Sequence, residues 1–258
     1  MRHARIAWAG GVHEATVSDD GQMLTLADGR RVAETEVVWL PPVKPGTIFA
    51  LGLNYADHAA ELAFKAPDEP LVFLKGPNSL LGHKAITRRP GDANQMHYEC
   101  ELAVVIGKGG KKIRRENAYD HVAGYTVAND YAIREYLENY YRPNLRVKNR
   151  DGCTPLGPWI VDRENIPDPM NLSLRTIVNG ETVQQGSTAD MVFDIPYLIE
   201  YLSDFMTLSP GDLILTGTPH GVVYLNPGDV VTTEIEGVGA LINTLADDAA
   251  FYGPAERA

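Results

Sequence analysis

Two glutamates stand at the start of the most apolar strand-like stretch of the chain. Glu99 and Glu101 occur in MHYECELAVVIG, residues 96–107. Because side chains on a strand alternate between its two faces, residues two apart point to the same side. Two carboxylates in apolar surroundings are forced apart or protonated unless a cation lies between them. The pair therefore indicates either a half-exposed strand whose polar side faces water, or a cation site.

A third carboxylate follows another apolar segment. Asp130 comes directly after the apolar residues in GYTVANDYAIRE. Hard divalent cations such as Mg²⁺ and Mn²⁺ prefer oxygen ligands. The run LAVVIG after Glu101 is apolar on both faces, as in a strand that is covered on both sides, which disfavours the half-exposed strand. Glu99, Glu101 and Asp130 together favour a divalent-metal site.

Composition and charge restrict the class of protein. The chain has 258 residues, of which 44% are hydrophobic and 22% charged, as in a globular protein with a substantial core. Its formal net charge of -11 argues against a nucleic-acid or anionic-membrane partner, because both require clustered basic surface. No apolar run approaches the roughly 18 residues of a membrane helix, and the first residues lack the apolar stretch of a signal peptide. We therefore expect a cytoplasmic protein.

The two cysteines do not form a disulfide framework in a chain of this length. Cys100 lies between the two glutamates and would point to the opposite face of the strand, into the core. We expect a buried, inert thiol there.

The first 45 residues predict a small β unit. Asp20-Gly21 and Asp28-Gly29 divide short apolar runs and are typical of hairpin turns. The proline-rich stretch 41–46 predicts a short linker. We therefore expect an N-terminal unit at residues 1–45 and a larger domain at residues 46–258.

The larger domain shows many short strand-like runs and few helices. Asn179-Gly180 predicts a hairpin turn, and the spacing of apolar residues within 195–202 predicts an amphipathic helix. Pro-Gly-Asp at 210–212 and again at 227–229 predicts a turn before a strand. We also expect a helix after Asp130 and a loop-rich segment at 144–161. The elements do not alternate as βαβ units, so the prediction is an α+β fold, predominantly β, with a mixed or antiparallel sheet core.

Five segments occur in a characteristic order between about Ile48 and Leu245. They are GLNYADHAAE, HYECELAVVIG, GYTVANDYAIRE, LRVKNRDGCTPLGPWIV and PGDLILTGTPHGV. In combination they resemble the fumarylacetoacetate hydrolase family. The resemblance implies a mixed multi-sheet β roll of the fumarylacetoacetase C-terminal-domain type with a few short helices. It also implies a homodimer.

The resemblance assigns the metal ligands and the type of substrate. It implies that Glu99, Glu101 and Asp130 bind one Mg²⁺ or Mn²⁺ per subunit. The substrate is then a 2-oxo acid that chelates the ion, and the reaction passes through a metal-stabilised enolate.

The resemblance also implies three catalytic residues. Lys148 would stabilise negative charge on the enolate or position a water molecule, whereas the sequence alone favours a surface lysine. His58 and Glu61 match a dyad that moves a proton, on a short helix that Asn54 or Asp57 would cap. An ordinary exposed His-x-x-Glu is the alternative interpretation of the dyad.

Arg134, Gly217 and Thr218 are the expected substrate-binding residues. Arg134 would hold a substrate carboxylate from the helix face that it shares with Asp130, although a salt bridge to Glu138 competes with this role. Gly217 and Thr218, in LTGTP, would contact the substrate carboxylate through a backbone N–H and a hydroxyl group. His97 and Lys75 are further residues that could line the pocket.

The core motif is shared by hydrolases, decarboxylases, isomerases and hydratases of the family. The segment ENYYRPNLRVKNRDGCTPLGPW resembles the bacterial decarboxylases and isomerases of 4-hydroxyphenylacetate (homoprotocatechuate) breakdown. Arg142, Arg146 and Arg150 could meet the additional carboxylates of such substrates. An acylpyruvate or fumarylpyruvate hydrolase, or an oxaloacetate decarboxylase, is the alternative at the same site. A non-enzymatic metal- or acid-binding relative is a third possibility, which would not require the His58–Glu61 dyad.

Overall fold

Strands dominate the computed structural model, which describes residues 1–57, 67–137 and 144–248. The strands in chain order are β1 (Arg2–Trp8), β2 (Gly11–Val17), β3 (Met23–Leu26), β4 (Arg31–Ala33), β5 (Val38–Leu40), β6 (Ile48–Gly52), β7 (Leu71–Lys75), β8 (Leu80–Leu81), β9 (Ile86–Arg89), β10 (Met96–His97), β11 (Cys100–Ile106), β12 (Val122–Asn129), β13 (Ala132–Ile133), β14 (Thr154–Asp162), β15 (Ser173–Val178), β16 (Glu181–Ser187), β17 (Leu213–Leu215), β18 (Val230–Ile235) and β19 (Gly239–Asp247). Two α-helices lie wholly within the described ranges, α1 (Leu145–Lys148) and α2 (Ile195–Phe205). Short 3₁₀ segments occupy Glu34–Glu36, Pro77–Ser79, Arg115–His121, Arg134–Tyr136, Arg163–Asn165 and Thr188–Asp190.

These strands form three sheets. The largest runs in the order β4-β3-β2-β1-β14-β12-β11-β17-β6-β7, with β5 added beside β1 and β8 beside β14. A second sheet has the order β16-β15-β18-β19-β9, and β10 pairs with β13 alone. Most pairs are antiparallel, but β17 and β6, β8 and β14, and β19 and β9 run parallel. The prediction of a predominantly β fold with mixed sheets is confirmed.

Both faces of the central strand β11 are covered, as its apolar sequence predicts. Every residue from Cys100 to Ile106 is buried. On one face, β11 packs into a core that includes the apolar stripe of α2 and residues of the smaller sheet, such as Leu174 and Leu241. On the other face, Ala103 and Val105 join a second apolar cluster. Cys100 is buried and has no disulfide partner, as expected.

The N-terminal strands have an apolar cluster of their own and also continue the large sheet. Ile6, Leu24 and Trp39 belong to that cluster. Strand β1 pairs antiparallel with β14, with Arg2 opposite Val161. The hairpins at Asp20-Gly21 and Asp28-Gly29 are confirmed by the β2–β3 and β3–β4 pairs. The boundary after residue 45 stays a prediction.

Several other local predictions are confirmed. Asn179 and Gly180 form the turn of the β15–β16 hairpin. The amphipathic segment is α2, whose first turn is capped by Asp194, because its Oδ1 accepts a hydrogen bond from the Tyr197 N–H (2.8 Å). Neither described helix is long and apolar enough to cross a membrane.

The prediction of a helix after Asp130 is wrong. The chain stays extended there because Ala132 and Ile133 form β13, which pairs with β10. Only a 3₁₀ turn at Arg134–Tyr136 follows. Asp130 and Arg134 therefore do not share a helix face.

The prediction of a loop-rich segment at 144–161 is also largely wrong, because β14 occupies Thr154–Asp162. Two prolines, Pro155 and Pro158, made this strand difficult to recognise. Its pairing with β12 shifts register between Tyr125 and Val127, so the ladder is interrupted in the region of the prolines. Prolines are tolerated in sheets at such irregularities.

Candidate metal centre and active site

The register of three neighbouring strands brings the site together. Strands β11 and β12 are antiparallel, and Cys100 lies opposite Asn129. Glu99, just before β11, therefore lies beside Asp130, just after β12, and the Asp130 N–H donates to the Glu99 carbonyl (2.9 Å). On the other side of β11, Leu215 of β17 lies opposite Ala103. Gly217, two residues past Leu215, consequently reaches the level of Glu101.

The three predicted ligands converge in a buried position. Glu99, Glu101 and Asp130 each offer one carboxylate oxygen, and these oxygens all lie within 4.8 Å of one another. Glu99 is 6% exposed, while Glu101 and Asp130 are fully buried. The half-exposed strand is thereby excluded, and three buried carboxylates remain to be neutralised.

Among the three carboxylates, the charge of Glu101 is the least compensated by neighbouring groups. Its Oε2 accepts a hydrogen bond from the Gly217 N–H (2.7 Å), but its buried Oε1 has no hydrogen-bond partner among the described residues. Burial raises the pKa of Glu101 well above the ordinary glutamate value, and the charges of Asp130 and Glu99 raise this pKa further. A buried carboxylate oxygen without a partner is costly, and a cation would satisfy it.

Two lysines partly neutralise the carboxylates. Lys148 Nζ lies 2.5 Å from Glu99 Oε2 and 2.9 Å from Asp130 Oδ2. Lys75 Nζ lies 2.5 Å from Asp130 Oδ1 and also donates to the backbone carbonyl of Lys148. Burial alone would lower the pKa of Lys148, but Asp130, Glu99 and Glu101 raise it above its ordinary value. Lys148 is therefore held as an ammonium ion inside the site and is not a surface lysine.

Arg134 reaches the same cluster by a different route from the predicted helix. Its Nη2 lies 3.7 Å from Glu99 Oε1, and its Nε donates to His97 Nε2 (2.8 Å). Since His97 Nε2 accepts this bond, His97 carries its proton on Nδ1, which lies 3.0 Å from the Tyr98 carbonyl. Burial lowers the pKa of His97 to about 4, which agrees with a neutral ring.

Gly217 lies beside the carboxylates, Thr218 follows it in the chain, and the two residues differ in their contacts. The Gly217 amide donates to Glu101, and its φ of +89° is typical of glycine. The Thr218 hydroxyl oxygen accepts a hydrogen bond from Gln184 Nε2 (3.0 Å). The loop therefore holds the Glu101 carboxylate directly, which the sequence did not predict.

His58 and Glu61 lie outside the described residues, as do Glu138 and Arg142. The proton-transfer dyad, the capped short helix and the competing Arg134–Glu138 salt bridge therefore stay predictions. Sequence reasoning gave little weight to Lys75, which is fully buried against Asp130. A signal was present: Lys75 ends the apolar run LVFLK, where a charged side chain needs a partner.

The donor set fits a hard divalent cation. Three carboxylates within 4.8 Å of one another are close enough to share one ion, since metal–oxygen distances of Mg²⁺ and Ca²⁺ are about 2.0–2.6 Å. The unpartnered Oε1 of Glu101 provides an available ligand atom. No sulfur or imidazole ligand is among the three, which favours Mg²⁺ or Mn²⁺ over softer metals.

Comparison with protein-family models leads to the same family as the motifs of the site. The family model described as fumarylacetoacetate (FAA) hydrolase C-terminal matches residues 47–246. The chain belongs to this family, and the resemblance inferred from its motifs is confirmed.

Relatives with named activities point to a narrower group. A bifunctional isomerase/decarboxylase of 4-hydroxyphenylacetate degradation from Salmonella dublin is 61% identical over 213 residues, which cover 83% of this chain and 50% of that protein. The chain thus spans about half the length of this curated relative. The 5-carboxymethyl-2-hydroxymuconate delta-isomerase from Mycobacterium smegmatis, known from a crystal structure, is 38% identical in sequence to this chain. The two structures superpose with a TM-score of 0.86, over 96% of this chain and 99% of that one.

A third relative was solved with a metal. Maleylpyruvate hydrolase from Sphingobium sp. SYK-6, in complex with manganese(II) and pyruvate, is 28% identical with a TM-score of 0.82. The alignment covers 96% of this chain and 99% of that one.

Proposed function

We propose that this chain catalyses divalent-metal-dependent isomerisation, decarboxylation or both on an unsaturated 2-oxo or 2-hydroxy acid of 4-hydroxyphenylacetate catabolism. The substrate would be a dicarboxylic or tricarboxylic acid. The observation that carries the proposal is the buried triad of Glu99, Glu101 and Asp130, with one oxygen of Glu101 left without a partner. The identity to the Salmonella relative supports the choice of reaction and substrate.

The charges of the site support an anionic substrate. The three carboxylates are balanced formally by the side chains of Lys75, Lys148 and Arg134, which all lie within 4.0 Å of a carboxylate oxygen. A divalent ion would therefore leave the site with two excess positive charges. A dianionic or trianionic acid would be attracted to that excess.

Glu99, Glu101 and Asp130 would hold Mg²⁺ or Mn²⁺, one per subunit. The bound ion would supply Lewis acidity that withdraws electrons from a 2-oxo acid. The rest of the proposal concerns the groups that the chain itself provides.

Lys148 is the group placed to meet developing negative charge. Its ammonium ion lies between Glu99 and Asp130 and is 7% exposed, so water screens it little. A pKa raised by the neighbouring carboxylates makes it a donor of hydrogen bonds rather than a base. His58 remains the predicted proton carrier, with Glu61 orienting it, and it would return the proton to a different carbon during isomerisation.

Arg134 and Thr218 are proposed to bind the substrate's carboxylates. The Arg134 side chain is 22% exposed and is oriented by His97, so part of its guanidinium is accessible. Arginine recognises carboxylates in a planar, bidentate way. Arg150 lies near Tyr136, 5.4 Å from the ring centroid, and its role toward a second carboxylate stays a prediction.

A hydrolase of acylpyruvates is the second candidate. The observation that favours it is the fold shared with the Sphingobium maleylpyruvate hydrolase, at a TM-score of 0.82. The same triad would hold the ion. A water molecule would add to the acyl carbonyl carbon, the bond between that carbon and C3 of the pyruvate unit would break, and the released pyruvate enolate would take up a proton at C3.

One panel of substrates tests both candidates. The purified protein with Mg²⁺ or Mn²⁺ would be assayed with the dienedioate and tricarboxylate of the pathway, fumarylpyruvate, acetylpyruvate and oxaloacetate. Ultraviolet absorbance follows loss of the conjugated enol, and a coupled assay follows CO₂. We expect turnover of the pathway acids that EDTA abolishes. Turnover of the acylpyruvates or oxaloacetate alone would contradict the substrate assignment, and no turnover at all would favour a binding role.

The predicted homodimer and the cytoplasmic location remain proposals. Sedimentation equilibrium on the purified chain tests the first, and a mass near that of two chains is the expected result.

A further inference from the structure

Gln184 makes three side-chain hydrogen bonds, and two of them hold the loop that follows β17. The residue lies on β16, and its side chain is 2% exposed. Its Nε2 donates to the carbonyl of Pro219 (2.8 Å) and to the Thr218 hydroxyl oxygen (3.0 Å). Its Oε1 accepts from the Thr176 hydroxyl (2.8 Å).

The Pro219 carbonyl fixes the orientation of the Gln184 amide. A carbonyl can only accept a hydrogen bond, so the amide atom that faces it must be the nitrogen. The NH₂ group has two hydrogens, and these two bonds use both of them. The Thr218 oxygen is therefore an acceptor toward Gln184, and its single hydroxyl hydrogen has to point elsewhere.

The Thr218 hydroxyl hydrogen has no acceptor among the described residues. The neighbouring Gly217 N–H is already used, because it donates to Glu101 (2.7 Å). The Thr218 hydroxyl is thus the side-chain donor that this loop can offer to a carboxylate beside the metal ligands.

The strand and the loop are in close contact, so this orientation is held firmly. A Cβ atom at Gly186 of β16 would lie 2.7 Å from the Pro219 side chain. A Cβ atom at Gly221 would lie 3.2 Å from the Val183 carbonyl.

We propose that Gln184 is a positioning residue that orients the Thr218 hydroxyl to donate to the carboxylate of a 2-oxo acid. This inference rests on the proposed function, because it takes a 2-oxo acid as the ligand. Gln184 itself does not touch the substrate. It belongs to the smaller sheet, and it would couple that sheet to carboxylate recognition at the centre of the larger one.

Binding of pyruvate in the presence of Mn²⁺, measured by calorimetry, tests the proposal. Gln184→Met keeps the side-chain length and removes the hydrogen bonds. We expect it to weaken pyruvate binding about tenfold, as for one lost hydrogen bond to a charged group. Gln185→Met is the matched control, because Gln185 is the next residue on β16 and its side chain is exposed. It should bind pyruvate as the unaltered chain does.

A double-mutant cycle separates positioning from a general structural effect. If Gln184 acts through Thr218, the Gln184→Met exchange should weaken pyruvate binding no further in a chain that already carries Thr218→Val. Thr218→Ser keeps a hydroxyl group, so it should bind pyruvate almost normally and remain sensitive to Gln184→Met. For a substrate that is turned over, KM should rise while kcat changes less than about threefold, because this contact is made in the ground state and the transition state alike.

Three results would overturn the proposal. The first is unchanged pyruvate binding in Gln184→Met. The second is a loss of pyruvate affinity on Gln184→Met that is as large in the Thr218→Val chain as in the unaltered chain. The third is no pyruvate binding by the unaltered chain in the presence of Mn²⁺. Pyruvate binding with the expected cycle, but without turnover of any pathway acid, would uphold this inference and contradict the proposed reaction.

Discussion

Two buried acidic groups on neighbouring strands of the large sheet differ in how their charges are satisfied. Asp212 precedes β17 and is 2% exposed. Its Oδ1 accepts from the Thr47 N–H (2.8 Å), and its Oδ2 accepts from the Ser209 N–H (2.7 Å). Glu101 lies on adjacent β11 and is fully buried, yet only one of its oxygens has a partner among the described residues.

The difference separates a structural carboxylate from one that fits a ligand site. Asp212 closes the Pro-Gly-Asp turn with backbone amides and needs nothing more. Glu101 lies next to two further carboxylates, and burial together with these neighbours raises its pKa. A fold retains so unfavourable an arrangement when something outside the chain compensates it, and a divalent ion would do so.

The largest effect that follows from this contrast is on catalysis. Glu101→Gln preserves size and still accepts the Gly217 hydrogen bond, but it removes a charged ligand. We expect kcat/KM for the pathway acids to fall by about 10³-fold or more, since metal-centred charge stabilisation contributes several kcal/mol.

Asp212→Asn is the matched substitution at the structural carboxylate and should change kcat/KM by less than about threefold. A comparable fall in both variants would remove the distinction between the two carboxylates.

The free energy of unfolding should depend more on Asp212 than on Glu101, which is the opposite of the order expected for catalysis. Asp212→Ala removes two hydrogen bonds between a charged acceptor and backbone amides, so we expect the free energy of unfolding to fall by about 3 kcal/mol. Glu101→Gln should leave the free energy of unfolding of the metal-free chain unchanged or raise it, because repulsion with Glu99 and Asp130 is relieved. Urea denaturation in EDTA measures both. Strong destabilisation by Glu101→Gln would mean that the carboxylate is structural.

The pH dependence of stability is a smaller effect with a definite sign. The pKa of Glu101 is raised in the folded chain, so between its unfolded and folded pKa values the folded state binds more protons. The free energy of unfolding of the metal-free chain should therefore decrease as pH rises above the usual glutamate range, with a slope of at most about 1.4 kcal/mol per pH unit from this group.

Glu101→Gln should remove that contribution to the slope, which denaturation curves at several pH values would detect. An identical slope in the variant would show that Glu101 is ionised over the whole range.

The three clustered carboxylates could be predicted because their signal is local. Glu99 and Glu101 are two residues apart beside an apolar strand, and Asp130 ends an apolar segment. This spacing suggested a site, and the resemblance to the family made the assignment specific. The placement of Arg134 on a helix face shared with Asp130 was predicted wrongly, since the extended chain after Asp130 depends on the pairing of β13 with β10, which is 35 or more residues earlier. Local helical spacing carries no information about such a partner.

Lys75 and Gln184 were given little or no weight for the same reason. Lys75 is 55 residues from Asp130, and Gln184 is 34 residues from Thr218. Their significance lies in buried contacts between elements that only the folded chain brings together. The prolines of β14 show the converse case, in which a local signal for a loop was overridden by strand pairing with β12.

Manganese binding tests the central claim most directly. Electron paramagnetic resonance of free Mn²⁺, titrated with the unaltered chain, Asp212→Asn and Glu101→Gln, gives stoichiometry and affinity without any substrate. We expect one ion per chain for the first two proteins and binding weaker by about 100-fold or more for Glu101→Gln. Equal Mn²⁺ affinity in all three proteins would contradict the assignment of Glu99, Glu101 and Asp130 as the metal site.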